Sequence, residues 1–304
     1  MKKTKIIVPA LGMLLLSTAA SVTGTVAWFS ANATVNVSGM EVTTQVSGNL
    51  LIAETNADAN YVAADLSQAR TGIIEPSSSI NGVDFFYTVN RINGAGSAAT
   101  DSVFAQYDST ATGTSPYVNA FDEYYGVTGA VPYVDYTFYL KATSSAAGQK
   151  IIFNKLNLTY NNQSLSSDAI NEKAWRTAIF CEPVAKDASG SAAVVDNQKT
   201  ILALNGATNF TTGNAVKALA ETTNYAVRDS VVRQGTAAVL GTLATAGLTQ
   251  RYKVIVRLWL EGEDNTCNNE TFATLTSAYR LSLSAKLVES TDATAVTEIG
   301  SVVA

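Results

Sequence analysis

The chain has no histidine. That removes the commonest general base, proton shuttle and metal ligand together. Zinc peptidases built on two histidines a helical turn apart are excluded, as are Ser-His-Asp and Cys-His nucleophile systems. Serine–lysine chemistry would need a Ser-x-x-Lys spacing, and an α/β-hydrolase a Gly-x-Ser-x-Gly elbow; the sequence contains neither. Carboxylate pairs of the glycosidase kind survive in principle, but nothing singles out one pair among 25 Asp and Glu. We expect no enzyme here.

Charge is scarce as well. Asp, Glu, Lys and Arg make up 15% of the residues, and the net charge is −5. An acidic chain poor in lysine and arginine is a bad match for a phosphate backbone, so a nucleic-acid partner is not expected. Only two cysteines occur, Cys181 and Cys267, with no Cys-x-x-Cys to suggest structural zinc. A disulfide between them would close a loop of about 87 residues, worth about 4 kcal/mol on a chain-entropy model. The alternative is a buried thiol at Cys181, within the apolar run Thr177 to Cys181.

What the chain does have is a tripartite start. Lys2, Lys3 and Lys5 precede an apolar run from Ile6 to Ala20, followed by small residues to Ala27. A basic start, an apolar helix and a small-x-small exit make a secretory signal peptide, so the rest of the chain is expected outside the cell. Cleavage after Ala20 or after Ala27 fits the small-residue rule; we favour the second, which starts the mature chain at Trp28 and removes residues 1–27. The alternative is a retained membrane anchor, since the stretch from Ile6 to Trp28 is long enough to span a bilayer. Removal of residues 1–27 takes away three lysines and no acids, changing the net charge from −5 to −8.

The rest of the sequence reads as strands. Ala33 to Val46 alternates, with Val35 and Val37 in one phase and Met40, Val42 and Val46 in the other. The slip falls at Ser38-Gly39, which predicts a bulge or bend there. Further strands are expected at 49–53, 83–89, 136–141, 151–160, 174–184, 252–261 and 279–287, where apolar residues alternate or run together. Residues 93–114 are rich in Gly, Ala, Ser and Thr and read as a surface loop. A polar loop is expected at 186–197, with helical turns at 214–221 and 268–275. About nine strands without a βαβ rhythm predict an all-β fold, an antiparallel β-sandwich or jelly roll with long loop insertions and a few short helices. The N-terminal hydrophobic signal helix precedes it. The domain reading is 1–27 leader, 28–46 N-terminal strand segment and 47–304 sandwich.

Three candidate sites stand out. Glu261, Glu263, Asp264 and Glu270 concentrate hard oxygen ligands on one loop, and calcium takes six to eight such oxygens. The plainer reading of that loop is a solvated strand end, and no other cofactor is implied. Tyr117, Phe121, Tyr124, Tyr125 and Tyr133 form an aromatic segment that would stack on sugars or serve packing and subunit contacts. Gly94 to Ala99 superficially resembles a dinucleotide loop, but no amphipathic helix follows it.

The exit sequence Gly24-Thr25-Val26-Ala27-Trp28-Phe29-Ser30, followed by a Val/Thr-rich strand, resembles the export signal of the TasA/camelysin group. These are secreted proteins of Gram-positive bacteria processed by a dedicated signal peptidase. Members often carry Asp after the aromatic pair and Ser or Thr; this chain has Ala31 there. The resemblance spans about residues 1–50. It implies a secreted jelly-roll subunit, in some members assembling into biofilm matrix fibres. The peptidase activity attached to some camelysin relatives does not carry over to a chain without histidine.

Together these readings predict a non-catalytic structural protein of the cell surface or extracellular matrix. Its main partner is itself, head to tail, with other matrix proteins or glycans beside it and the membrane met only through the leader. After cleavage the segment from Trp28 to Val46 becomes a free end, with Phe29, Val35 and Val37 available to fill pockets in a neighbour by strand addition. The alternatives are pairing of that strand within its own domain, a monomeric adhesin or carbohydrate-binding module, and a pilin-like subunit retaining its hydrophobic helix.

Overall fold

The computed structural model describes residues 35–47, 49–63, 66–74, 76–79, 81–93, 97–107, 117–118, 130–160, 163–164, 174–203, 231–233, 238–262, 264 and 279–289. The leader, with Ala27, Trp28 and Phe29, lies outside them, as do Cys267, Glu263, Glu270 and the expected helical turns at 214–221 and 268–275.

The strands are β1 (Val35–Ser47), β2 (Leu50–Ala53), β3 (Leu66–Ile74), β4 (Phe86–Asn93), β5 (Ser97–Tyr107), β6 (Tyr117–Val118), β7 (Ala130–Val131) and β8 (Tyr133–Thr143). They continue with β9 (Gln149–Tyr160), β10 (Gln163–Ser164), β11 (Trp175–Val184), β12 (Gln198–Ala203), β13 (Val231–Arg233), β14 (Ala238–Leu243), β15 (Thr249–Leu260) and β16 (Tyr279–Val288). Two 3-10 turns, Asp58–Asn60 and Val195–Asn197, are the only helical pieces among the described residues. The protein is all-β, and most of its strand pairs are antiparallel.

Seven strands form sheet A, in the order β10-β9-β16-β1-β3-β7 with β14 also paired to β9. Six form sheet B, in the order β13-β12-β11-β15-β8-β2. A third sheet joins β4, β5 and β6. This last sheet corrects the reading of residues 93–114 as a loop. Ser97 to Tyr107 is a strand, antiparallel to β4, although small residues fill the start of it. The strand expected from Val83 starts only at Phe86.

Alternation explains sheet B. In β8, Val134, Tyr136, Phe138, Leu140 and Ala142 are buried, and in β15 Tyr252, Val254, Val256 and Leu258 are too. With Leu50 and Ile52 of β2 they meet Ile74 of β3, Ile151 of β9, Leu240 and Leu243 of β14 and Ala285 of β16 in one apolar cluster. The core therefore draws on both large sheets. Each fully buried Leu, Ile, Val or Phe in it contributes about 1.5–3 kcal/mol through area removed from water.

The other face of sheet B is covered by the chain's own connections. Phe85 joins Ala178, Phe180, Ile201, Ile255 and Trp259 in a second apolar cluster, and its ring meets Trp259 edge-on at 5.5 Å. That second cluster is why β15 buries consecutive residues, from Val254 to Leu260, instead of every second one. At Gly82 the backbone takes φ +69, and an added Cβ would lie 2.7 Å from the Ala178 Cβ. Only glycine fits this close crossing.

The slip predicted at Ser38-Gly39 is a bulge. Val37 registers with Gly72 and Met40 with Arg70, so Ser38 and Gly39 together oppose the single residue Thr71. Here β1 pairs within its own chain on both sides, antiparallel to β3 and parallel to β16.

Candidate functional site

The expected assembly strand occupies a slot in sheet A. Its partners are β3 on one side, from Val35↔Ile74 to Thr44↔Leu66, and β16 on the other, from Glu41↔Arg280 to Ser47↔Lys286. Val35 and Val37 belong to the part beyond the bulge that pairs with β3 alone. Gly48 and Asn49 are all that separate β1 in sheet A from β2 in sheet B. The crossover is anchored where the Asn49 carbonyl accepts the Thr143 amide at 3.2 Å.

The acidic loop after β15 is not a solvated strand end. Glu261 is 2% exposed and Asp264 0%. Asp264 accepts from Arg176 of β11 at 2.9 Å, and Arg176 is itself buried. One Glu261 oxygen, Oε2, accepts from the Ser79 amide and from Trp259 Nε1, each at 3.3 Å. Burial pushes the Glu261 carboxyl above the ordinary carboxylate range, against the opposing pull of Arg176. The turn also ties down segment 76–79. Ser77 donates its amide to the Leu260 carbonyl at 3.0 Å and accepts the Gly262 amide at 2.9 Å. Two of the four candidate calcium ligands are thus engaged by protein donors, while Glu263 and Glu270 fall outside the described residues.

Two charge clusters escaped the sequence reading. Arg257 of β15 forms a two-pronged ion pair with Asp135 of β8, Nε to Oδ1 and Nη2 to Oδ2, each at 2.7 Å. Its Nη1 donates to the Gly82 carbonyl at 2.8 Å, which fastens the covering segment to the sheet. On the surface, Asp58 accepts from Lys186, Lys141 and Arg251, and these cations hold its carboxyl well below the usual range. Beside it the Tyr61 hydroxyl donates to Asn56 Oδ1 at 2.7 Å, and burial raises the phenol to about 12. The Asn56 amide in turn donates to the carbonyls of Ala185 and Ala188, gripping the loop after β11. No local pattern announces these contacts, because the partners lie far apart in sequence.

Of the aromatic segment, Tyr117 falls in β6 opposite Tyr107. Tyr133 lies under the Arg257 guanidinium at 3.6 Å from its ring centroid, with Phe85 at 4.7 Å. Phe121, Tyr124 and Tyr125 are outside the described residues. Cys181 is 3% exposed in the main apolar cluster. Among the described residues, no three of His, Cys, Asp or Glu gather as a metal site, and no helix is long and apolar enough to cross a membrane.

Comparison with protein-family models, with curated proteins and with solved structures gives no match.

Proposed function

We propose that this chain is a secreted, non-catalytic structural subunit with a jelly-roll sandwich fold, and that it polymerises at the cell surface or in an extracellular matrix. The observation that carries the reading is the position of β1. The first strand after the expected leader lies inside sheet A, with a backbone ladder on each side. Everything that holds it there is equally available to the same strand of another copy. Withdrawal of β1 would open a slot between β3 and β16 lined by unpaired backbone groups, which an incoming strand satisfies. Gly48 and Asn49 alone join β1 to β2 of sheet B, so an exchanged strand would stay tied to its own subunit by a short link. Exchange of an identical element between copies needs no new contacts, and head-to-tail exchange propagates into a fibre unless the rotation closes a ring. The low charge content leaves little repulsion between stacked subunits.

The test starts from the secreted product, whose intact mass should correspond to a chain beginning at Trp28. Electron microscopy and sedimentation then compare that mature protein with a form lacking residues 28–38. Filaments from the first and not from the second are expected. A mature protein that stays monomeric at high concentration, or a truncated one that polymerises equally well, sinks the proposal.

A further inference from the structure

We infer that the bulge at Ser38–Gly39 is a register key along β3 by which the place of β1 selects the first strand of a second copy of this chain over other strands. The inference rests on the strand-donation reading above and names its partner.

The place of β1 carries two ladders, which overlap at residues 41–44; the bulge lies beyond that overlap, where β1 pairs with β3 alone. Towards β16 the pairing is parallel and unbroken, from Glu41 opposite Arg280 to Ser47 opposite Lys286. Towards β3 it is antiparallel and broken once. Residues 40–44 face 66–70, residues 35–37 face 72–74, and between them two residues meet one. A strand without the extra residue can match the part before the step or the part after it. It cannot match both, because a one-residue slip carries every later side chain to the opposite face. The sequence of β1 contains the same step in its apolar phase, with Val35 and Val37 out of phase with Met40, Val42 and Val46. The bulge brings positions 35, 37, 40, 42 and 44 to equivalent places in the ladder, opposite 74, 72, 70, 68 and 66. Glycine at the step accommodates the bent backbone that such an insertion requires. A strand from another matrix protein would need an equal insertion at the same distance from its own apolar run. The chain itself supplies one.

The experiment uses the full mature chain and two synthetic peptides, one covering residues 33–47 and one identical but lacking Gly39. Added at the start of polymerisation, the complete peptide fills slots and shortens or abolishes the fibres. The peptide lacking Gly39 should need a concentration about tenfold higher or more for the same inhibition, the factor that a loss of about 1.4 kcal/mol produces. Equal potency of the two peptides overturns this inference and leaves strand donation standing. Failure of both, with fibres growing normally, overturns strand donation and the inference with it. A second arm mixes labelled full-length protein lacking Gly39 with unlabelled wild type. Its exclusion from the fibres supports the key, and its uniform incorporation refutes it.

Discussion

The guanidinium of Arg257 lies 3.6 Å from the centre of the Tyr133 ring while its nitrogens pair with both oxygens of Asp135. A planar cation on an aromatic face, with its edge used for a forked ion pair, is an arrangement lysine cannot reproduce. Phe180 and Phe85 flank the same group at 5.5 and 5.9 Å. One side chain thus joins β15, β8, β11 and the segment crossing over them.

Replacement of Arg257 by lysine should therefore cost about 1.5–3 kcal/mol, the range for hydrogen bonds to charged groups, although the charge is kept. Urea unfolding of the protein measures it. A midpoint unchanged by Arg257→Lys would show that the fork and the stack contribute nothing beyond the charge.

Glu261 gives a pH dependence with a definite sign. Its native carboxyl titrates above the ordinary value, which unfolding restores, so the native state keeps the proton where the unfolded chain has lost it. The stability this contributes is fully present below the unfolded value of about 4.3 and declines as the pH climbs from there to the native one. Glu261→Gln mimics the protonated group and should flatten that part of the stability profile while leaving the stability at low pH close to wild type. An equally steep decline in the variant would assign the effect to other groups.

Gly82→Ala tests the close crossing over β11. The residue would carry φ +69, unfavourable for alanine, and a methyl 2.7 Å from the Ala178 Cβ. Strain and overpacking together predict a loss of about 1–3 kcal/mol. The double change Gly82→Ala with Ala178→Gly should recover part of it, the steric share, and not the share due to backbone conformation. Thermal unfolding of the three variants separates the two, and full recovery in the double change would remove the conformational argument.

Much of the fold is legible in the sequence, where apolar and polar residues alternate. β8, β9, β15 and β16 read directly from alternation, and the phase change at Ser38-Gly39 located the bulge. β5 was not legible, because Ser97 to Thr100 carries the small residues that usually mark loops. Nor was β3, whose Ser67-Gln68-Ala69-Arg70-Thr71-Gly72 shows no apolar alternation; its place is set by β1 beside it. The candidate sites were harder still. Glu261 and Asp264 are residue types that normally face water, and the distant Arg176 and the segment around Ser79, with Trp259, help to make their burial tolerable. Such pairings belong to the tertiary structure, and local patterns do not encode them.

The parallel ladder between β1 and β16 joins the first described strand to the last. Contacts of such long sequence separation form late and slowly, because the entropy of closing the intervening loop is spent before the pairing rewards it. Sheet A cannot be completed until residues 279–288 have emerged from the ribosome. Until then β1 has β3, close behind it in sequence, as a partner on one side, while the edge it offers to β16 stays open.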